Sequence, residues 1–138
     1  MVDHDVLRQK INVLEENISK LNELAALPLE IFLGKFYYVD AGKHLLQTSI
    51  EAMLDISQHI IARRRFRNPQ TDAEAFTILV EQGILPAEKE ADLRNMAKFR
   101  NRVVHLYHDV DDREVYQLLA VGAKDGQEFV AAIVAKLF

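Results

Sequence analysis

Hydrophobic residues recur with helical spacing in the first segment of the chain, from about residue 3 to residue 26. Six apolar residues follow one another there in steps of four and three: Leu7, Ile11, Leu14, Ile18, Leu21 and Ala25. This spacing puts them on one face of a helix, in the narrow stripe typical of a bundle. Asp3 is the predicted N-cap, and Pro28 is predicted to end the helix.

The second segment, from about residue 29 to residue 65, is apolar over most of its helical circumference. Its polar positions collect on one stripe: Asp40, Lys43 or His44, Gln47, Glu51, Asp55 and Gln58. A helix with so much apolar surface is expected at the centre of a bundle. Gly42 lies inside it, at a helical cost of about 1 kcal/mol. We expect this glycine either to allow a neighbouring helix to approach closely or to mark a local kink.

Two further helices are predicted in the middle of the chain. Thr71 or Asp72 caps a short helix that closes at Gly83. Pro86 suits the first turn of a long helix that reaches about Tyr107. Acidic residues near the start of this long helix are favourable at the positive end of its dipole.

The last part of the chain is predicted to form two short helices. They cover about residues 115–121 and 129–137, with Gly122 and Gly126 separating them. No segment alternates between apolar and polar residues with the period of two that marks a strand. The pattern predicts an all-α protein, an up-down bundle of four to six helices.

Composition narrows the class of protein further. The chain has 138 residues, of which 49% are hydrophobic and 28% charged, so a single globular domain over 1–138 is expected. The absence of cysteine excludes a disulfide framework, a thiolate zinc site and a cysteine nucleophile. The net charge of −4 gives no reason to expect that the molecule as a whole attracts nucleic acid.

Location and cofactors are addressed by what the sequence lacks. No apolar run approaches the roughly 20 residues of a membrane span, and the N-terminus does not resemble a signal peptide. We therefore expect a cytoplasmic protein with no membrane association. The glycine-rich phosphate and dinucleotide loops and the serine nucleophile motif are also missing, so no cofactor is expected.

The long helix ending near Tyr107 contains the least expected placement in the sequence. On a helical wheel its apolar arc spans about 180°, and Arg100 falls inside that arc. A guanidinium among apolar neighbours is costly unless it is paired or faces a ligand. Two alternatives follow: an ion pair to Glu51 or Asp55 that holds the bundle together, or a functional site.

The neighbours of Arg100 favour the functional alternative. Asn101, His105 and His108 follow one another in steps of four and three, so they share a stripe beside the arginine. Imidazoles transfer protons near neutral pH, and guanidinium groups bind phosphate. Two histidines three residues apart also permit a metal site, but a third well-spaced ligand is missing, so no metal is predicted.

A basic run follows the second helix, with Arg63, Arg64, Arg65 and Arg67. Such a run is usually a solvated helix end, where cations are favourable. If the protein acts on RNA, the run could instead contact the phosphate backbone, together with Arg102 beside the motif.

Residues 99–107 read Phe-Arg-Asn-Arg-Val-Val-His-Leu-Tyr, which is R-x4-H-x-Y with asparagine directly after the arginine. This resembles the signature of HEPN-domain ribonuclease toxins of the HepT kind, which pair with MntA-type nucleotidyltransferase antitoxins. Length and order of elements resemble that family over essentially the whole chain. The resemblance implies a homodimeric helical bundle with metal-independent endoribonuclease activity, with tRNA as the expected substrate.

The same resemblance implies roles for individual residues. Arg100 and His105 correspond to the catalytic pair, and Asn101 to the polar residue beside the arginine. Tyr107 corresponds to the tyrosine that the partner enzyme modifies with AMP. An alternative is a non-catalytic HEPN module that binds or scaffolds a nucleotidyltransferase.

One geometric difficulty accompanies this assignment. Arg100 and His105 are five residues apart, which separates them by about 140° on an ideal helix. Either the helix loosens near His105, or each catalytic unit takes one group from a second protomer across a two-fold axis. We therefore predict a homodimer whose interface includes the motif helix.

Overall fold

The computed structural model describes residues 3–138, which form six α-helices and contain no strand. The helices are α1 (His4–Ala25), α2 (Leu29–Leu33), α3 (Phe36–Arg64), α4 (Asp72–Glu81), α5 (Glu90–His105) and α6 (Asp112–Leu137). Short 3-10 turns precede and follow α5, at Ala87–Lys89 and Tyr107–Asp109. The prediction of an all-α bundle is confirmed. None of the helices in this part of the chain is long and apolar enough to cross a membrane.

The three long helices α1, α3 and α6 pack against one another and hold most of the core. Lys10 on α1 binds Asp55 on α3 at 2.6 Å, and Asn17 donates to Thr48 at 3.0 Å. Since higher numbers on one helix meet lower numbers on the other, α1 and α3 are antiparallel, as an up-down bundle requires. The five apolar residues predicted on α1 up to residue 21 are all buried, and Asp3 caps the helix through Asp5 and Val6.

The C-terminal segment differs from the prediction of two short helices. Gly122 and Gly126 lie inside the continuous helix α6, and both are buried. A Cβ at Gly122 would lie 2.8 Å from Leu46 Cδ2, and one at Gly126 would lie 3.0 Å from Ile18 Cδ1. The prediction was wrong because these glycines let α3 and α1 pack closely against α6; the burial gained there offsets their helical cost of about 1 kcal/mol.

The second predicted helix is divided near its start. Gly34 ends α2, and Lys35 has the extended backbone that precedes α3. Gly42 continues the helix without a break, and a Cβ there would lie 3.1 Å from a methyl group of Val115. Of the two expectations for Gly42, close approach is therefore the one that the structure bears out.

The remaining helices, α4 and α5, pack on each other and on α3. Thr71 caps α4 by accepting from the Glu74 N–H at 3.2 Å, as one of the two predicted caps. Helix α5 ends at His105 rather than near Tyr107, and Leu106 leaves the helical conformation with φ −133° and ψ 42°. The motif therefore spans a helix and the short turn after it.

Candidate functional site

Part of the polar stripe of α3 faces the motif. Glu51 contacts Arg100, and Asp40, three turns earlier on α3, contacts Tyr107. Because the two segments run antiparallel, one row of polar side chains meets both ends of the motif. The sequence located this row but did not show which neighbour it faces.

Arg100 is held by two acceptors. Its Nε and Nη2 donate to Glu51 Oε2 at 3.0 and 2.8 Å, and its Nη1 donates to Asn101 Oδ1 at 3.0 Å. Asp72 Oδ2 lies 3.7 Å from the same Nη1. The side chain remains 23% exposed, at an open depression that Asp55 also lines.

These contacts combine the two alternatives for Arg100. The expected partner Glu51 is present, but its own side chain is 34% exposed. The guanidinium is therefore oriented by a carboxylate and an amide without being sealed from solvent. This arrangement leaves part of the guanidinium open to solvent, beside a depression that Glu51, Asp55 and Asp72 also line.

His105 is the last residue of α5 and its side chain is exposed. The His105 side chain makes no hydrogen bond to the rest of residues 3–138. The helix is regular through His105, so the residue stays about 140° around the axis from Arg100. Of the two expected solutions to this separation, loosening near His105 is limited to Leu106, which leaves the helical conformation directly after His105, while the turn between Arg100 and His105 stays helical.

The apolar arc of the motif helix is only partly covered. Leu93, Met96 and Phe99 are buried, but Val104 is 42% exposed and Leu106 is 52% exposed. These two residues flank His105. An uncovered apolar surface therefore adjoins the exposed imidazole.

Tyr107 is held by contacts with α3 and lies near the start of α6. Its hydroxyl donates to Asp40 Oδ1 at 2.7 Å. Lys43, buried to 5% exposure, donates to the Tyr107 carbonyl at 3.0 Å and places Nζ 4.3 Å from the ring centre. Partial burial, the hydrogen bond to Asp40 and the charges of Asp40 and Asp112 together raise the pKa of Tyr107 to about 12.

The arginines of the predicted basic run differ in their surroundings. Residues 63–65 end α3 on an exposed surface, with Arg65 in the left-handed conformation at φ 57°. Arg67, in contrast, binds Glu74 and Glu81, each at 2.8 Å. The positive charge of Arg67 is therefore largely compensated within the protein.

Arg102 is also paired. It donates to Glu114 on α6 through both terminal nitrogens, one of them at 3.1 Å, and its guanidinium lies 5.3 Å from the Phe99 ring centre. Its side chain is nevertheless 46% exposed. Hydrogen bonding to Glu114 raises the pKa of the Arg102 guanidinium, so the group is a permanent cation beside the motif.

A metal site at His105 and His108 would need a third ligand. Within residues 3–138, no group of three or more histidine, aspartate or glutamate side chains is arranged to hold a metal ion. His108 instead packs edge-on against Tyr107, with ring centres 5.5 Å apart.

Sequence reasoning missed the site roles of three residues. Asp40 and Lys43 were identified only as members of the polar stripe, and Asp72 only as a cap of α4. The available signal was the three-residue spacing of Asp40 and Lys43, which puts both on the side of α3 that also carries Glu51. Recognising it requires knowing that this side faces the motif.

Comparison with known proteins gives a consistent picture. A family model described as "Ribonuclease HepT-like" matches residues 14–133. The chain is 24% identical to the tRNA nuclease HepT of Aphanizomenon flos-aquae, over 93% of this chain and 87% of that protein. It is also 24% identical to the mRNA nuclease HepT of Shewanella oneidensis, over 96% of this chain and 99% of that protein.

The fold is shared with a solved complex. The structure of a tri-AMPylated Shewanella oneidensis HEPN toxin with its MNT antitoxin superposes with a TM-score of 0.88 at 24% identity. The match covers 97% of this chain and all of that one. The arrangement of helices is therefore the same over nearly the full length.

Proposed function

Because the chain belongs to the HepT-like ribonuclease family, we propose that it is a metal-independent endoribonuclease, the toxin of a toxin–antitoxin pair, silenced by adenylylation of Tyr107. The observation that carries this proposal is the state of Arg100. It is oriented by Glu51 and Asn101, yet it borders an open depression between α3 and the motif helix. The names of the HepT relatives support the ribonuclease activity.

The residue types suit RNA cleavage without a metal. The ribose 2′-hydroxyl attacks the adjacent phosphorus, so one group must accept its proton and another must protonate the departing 5′-oxygen. His105 provides an imidazole for proton transfer. Arg100 stabilises the negative charge that gathers on the phosphoryl oxygens, and Asn101 holds the guanidinium in place.

Glu51 gives Arg100 its orientation. Both of the arginine nitrogens that it binds share a single carboxylate oxygen. A guanidinium has five N–H donors, so donors remain for a phosphate oxygen. A preset guanidinium loses little conformational freedom when the substrate binds.

A second protomer completes the proposed site. Within one chain Arg100 and His105 do not converge, since they point about 140° apart on a regular helix. A two-fold axis near the motif would pair the arginine of one protomer with the histidine of the other. The exposed Val104 and Leu106 beside His105 supply apolar area for that contact.

The proposed substrate is tRNA, and its backbone is contacted by the exposed residues 63–65 at the end of α3, with Arg67 and Arg102 as weaker contributors. The tRNA nuclease among the relatives supports this substrate, while the mRNA nuclease supplies the competing one. The proposed antitoxin is an MntA-type nucleotidyltransferase, supported by the complex that shares the fold. We propose a cytoplasmic location for the pair.

The proposed activity is tested with purified protein, total tRNA and an unrelated mRNA in the presence of EDTA. We expect tRNA to be cut with a 2′,3′-cyclic phosphate end, and His105→Ala to slow cleavage by at least about 100-fold. His44→Ala is the matched control, because His44 is an exposed histidine on α3 outside the motif. Full activity of His105→Ala would contradict the catalytic role, and no cleavage by the wild type would favour a non-catalytic module.

The role of the basic run is tested by the salt dependence of tRNA binding. Arg64→Ala is expected to weaken binding and to reduce the slope of log K against log salt by about 0.7, the value for one contact to a single-stranded phosphate. Lys124→Ala is the control, because it removes the same charge from a 72% exposed side chain on α6. Equal slopes for the two variants would show that the basic run faces solvent and does not contact the RNA backbone.

A further inference from the structure

The hydroxyl of Tyr107 donates to Asp40, a contact that the proposed function has not used. We propose that Asp40 is the general base for adenylylation of Tyr107: its carboxylate receives the hydroxyl proton as the tyrosine oxygen attacks a nucleoside triphosphate. This inference rests on the proposed modification of Tyr107. It adds that the toxin itself supplies a group for the reaction that silences it.

The first support is the contact itself. The Tyr107 hydroxyl donates to Asp40 Oδ1 at 2.7 Å, within the range expected of a base and the proton that it removes. Asp40 is exposed on the outer part of α3. A modifying enzyme can therefore approach the hydroxyl without first opening the bundle.

The second support is the pair of contacts that Lys43 makes with Tyr107. Lys43 donates to the Tyr107 carbonyl and lies over its ring, so both the backbone and the aromatic plane are fixed. The buried position of Lys43 on α3 ties this contact to the core, one helical turn from Asp40. Such fixed geometry is what a base needs to act within the lifetime of a bound substrate.

The third support is that the Tyr107 hydroxyl needs a base in order to react at neutral pH. A phenol with a pKa of about 12 carries little of the reactive phenolate at neutral pH. Asp40 contributes to that shift, so it disfavours free ionisation while remaining positioned to take the proton during the attack. A carboxylate fills the same role for the substrate hydroxyl in protein kinases.

The proposed reaction transfers AMP from ATP to the Tyr107 oxygen. The Tyr107 oxygen forms a bond to the α-phosphorus of ATP, and the bond from that phosphorus to the oxygen bridging toward the β-phosphorus breaks. Pyrophosphate leaves with the electron pair of that bond. The hydroxyl proton passes to Asp40 and then to solvent, and the partner nucleotidyltransferase binds and orients the triphosphate.

The test compares wild type and Asp40→Asn in the rate of label transfer from ATP labelled at its α-phosphate, with a purified MntA-type nucleotidyltransferase. The asparagine still accepts a hydrogen bond but is not a base. We expect a loss of at least about 100-fold at pH 7. Asp112→Asn is the control, because Asp112 lies 3.9 Å from Lys43 and contributes to the field at Tyr107 without touching the hydroxyl.

The dependence on pH separates catalysis from a structural role. The charged and titratable groups facing Tyr107 are Asp40, Lys43, His108 and Asp112, and all but Asp40 are common to both proteins. If Asp40 is the base, the Asp40→Asn variant reacts only through the phenolate, whose fraction rises about tenfold per pH unit. The ratio of wild-type to Asp40→Asn rates therefore shrinks about tenfold per pH unit. A ratio that does not change with pH would overturn the proposal.

RNA cleavage by the same proteins distinguishes the remaining outcomes. Asp40→Asn is expected to cleave tRNA within about twofold of wild type, because Asp40 has no contact with Arg100 or His105. Rapid labelling of Asp40→Asn would overturn the inference and leave the proposed function intact. Absence of label on wild type would overturn the proposed regulation, and the inference with it.

Discussion

Arg100→Ala is expected to lower the rate of tRNA cleavage by about 10²–10³-fold, since it removes the charge that stabilises the transition state. The same change is expected to cost no more than about 1 kcal/mol of folding free energy, because the Arg100–Glu51 pair is partly exposed. Thermal unfolding and a cleavage assay on the same preparation measure both effects. Arg94→Ala is the matched control: Arg94 lies on the same helix and donates to Thr77 at 2.6 Å, away from the depression.

The opposite balance would contradict the catalytic role. If Arg100 only held the bundle together as a buried pair, its loss would destabilise the protein by about 3–5 kcal/mol. Any loss of cleavage would then follow the fraction of unfolded protein. Arg100→Lys refines the test, since it keeps the charge but loses the fork that binds two phosphate oxygens at once.

Mixing two inactive variants tests whether the site is shared between protomers. In a heterodimer of Arg100→Ala and His105→Ala, one of the two composite sites keeps both groups. Random exchange of protomers makes half of the dimers mixed, so about a quarter of the wild-type activity is expected to return. A mixture that stays inactive would indicate that one chain supplies both groups.

Tyr107→Phe is expected to reduce transfer of AMP to background, because the only atom proposed to attack the α-phosphorus is removed. The ring and its contact with Lys43 are kept, and loss of the hydrogen bond to Asp40 is expected to cost about 1 kcal/mol of stability. Cleavage of tRNA should remain close to wild type. Mass spectrometry of the intact protein and its peptides measures the modification.

Tyr37→Phe is the control for this variant, because Tyr37 is a 52% exposed tyrosine near the same end of α3. It should be labelled as fully as wild type. In cells that carry the nucleotidyltransferase, the Tyr107→Phe toxin should remain active and arrest growth, whereas the Tyr37→Phe toxin should be silenced. Full labelling of Tyr107→Phe would place the modification elsewhere on the chain.

Much of the site was visible in the sequence as residue types and spacing. Arg100 stood out because a charged residue falls on an apolar arc, and Glu51 was one of the two carboxylates expected to reach it. Tyr107 was visible as the tyrosine two positions after the motif histidine, and the hydroxyl of a partly buried tyrosine needs a partner. Asp40 as that partner was not foreseen, because the two residues are 67 positions apart and no local pattern links them.

The sequence by itself determined α1, α4, their caps and the motif, because helical periodicity and capping depend on residues a few positions apart. Tertiary structure decided that Gly122 and Gly126 belong inside α6, since only the neighbouring helices offer the burial that offsets glycine's helical cost. It also decided that Asp40, Lys43 and Glu51 of the polar stripe of α3 contact the motif, whereas Asp55 pairs with Lys10 on α1. A stripe fixes which residues lie together on one helix; the packing of the other helices fixes what that stripe meets.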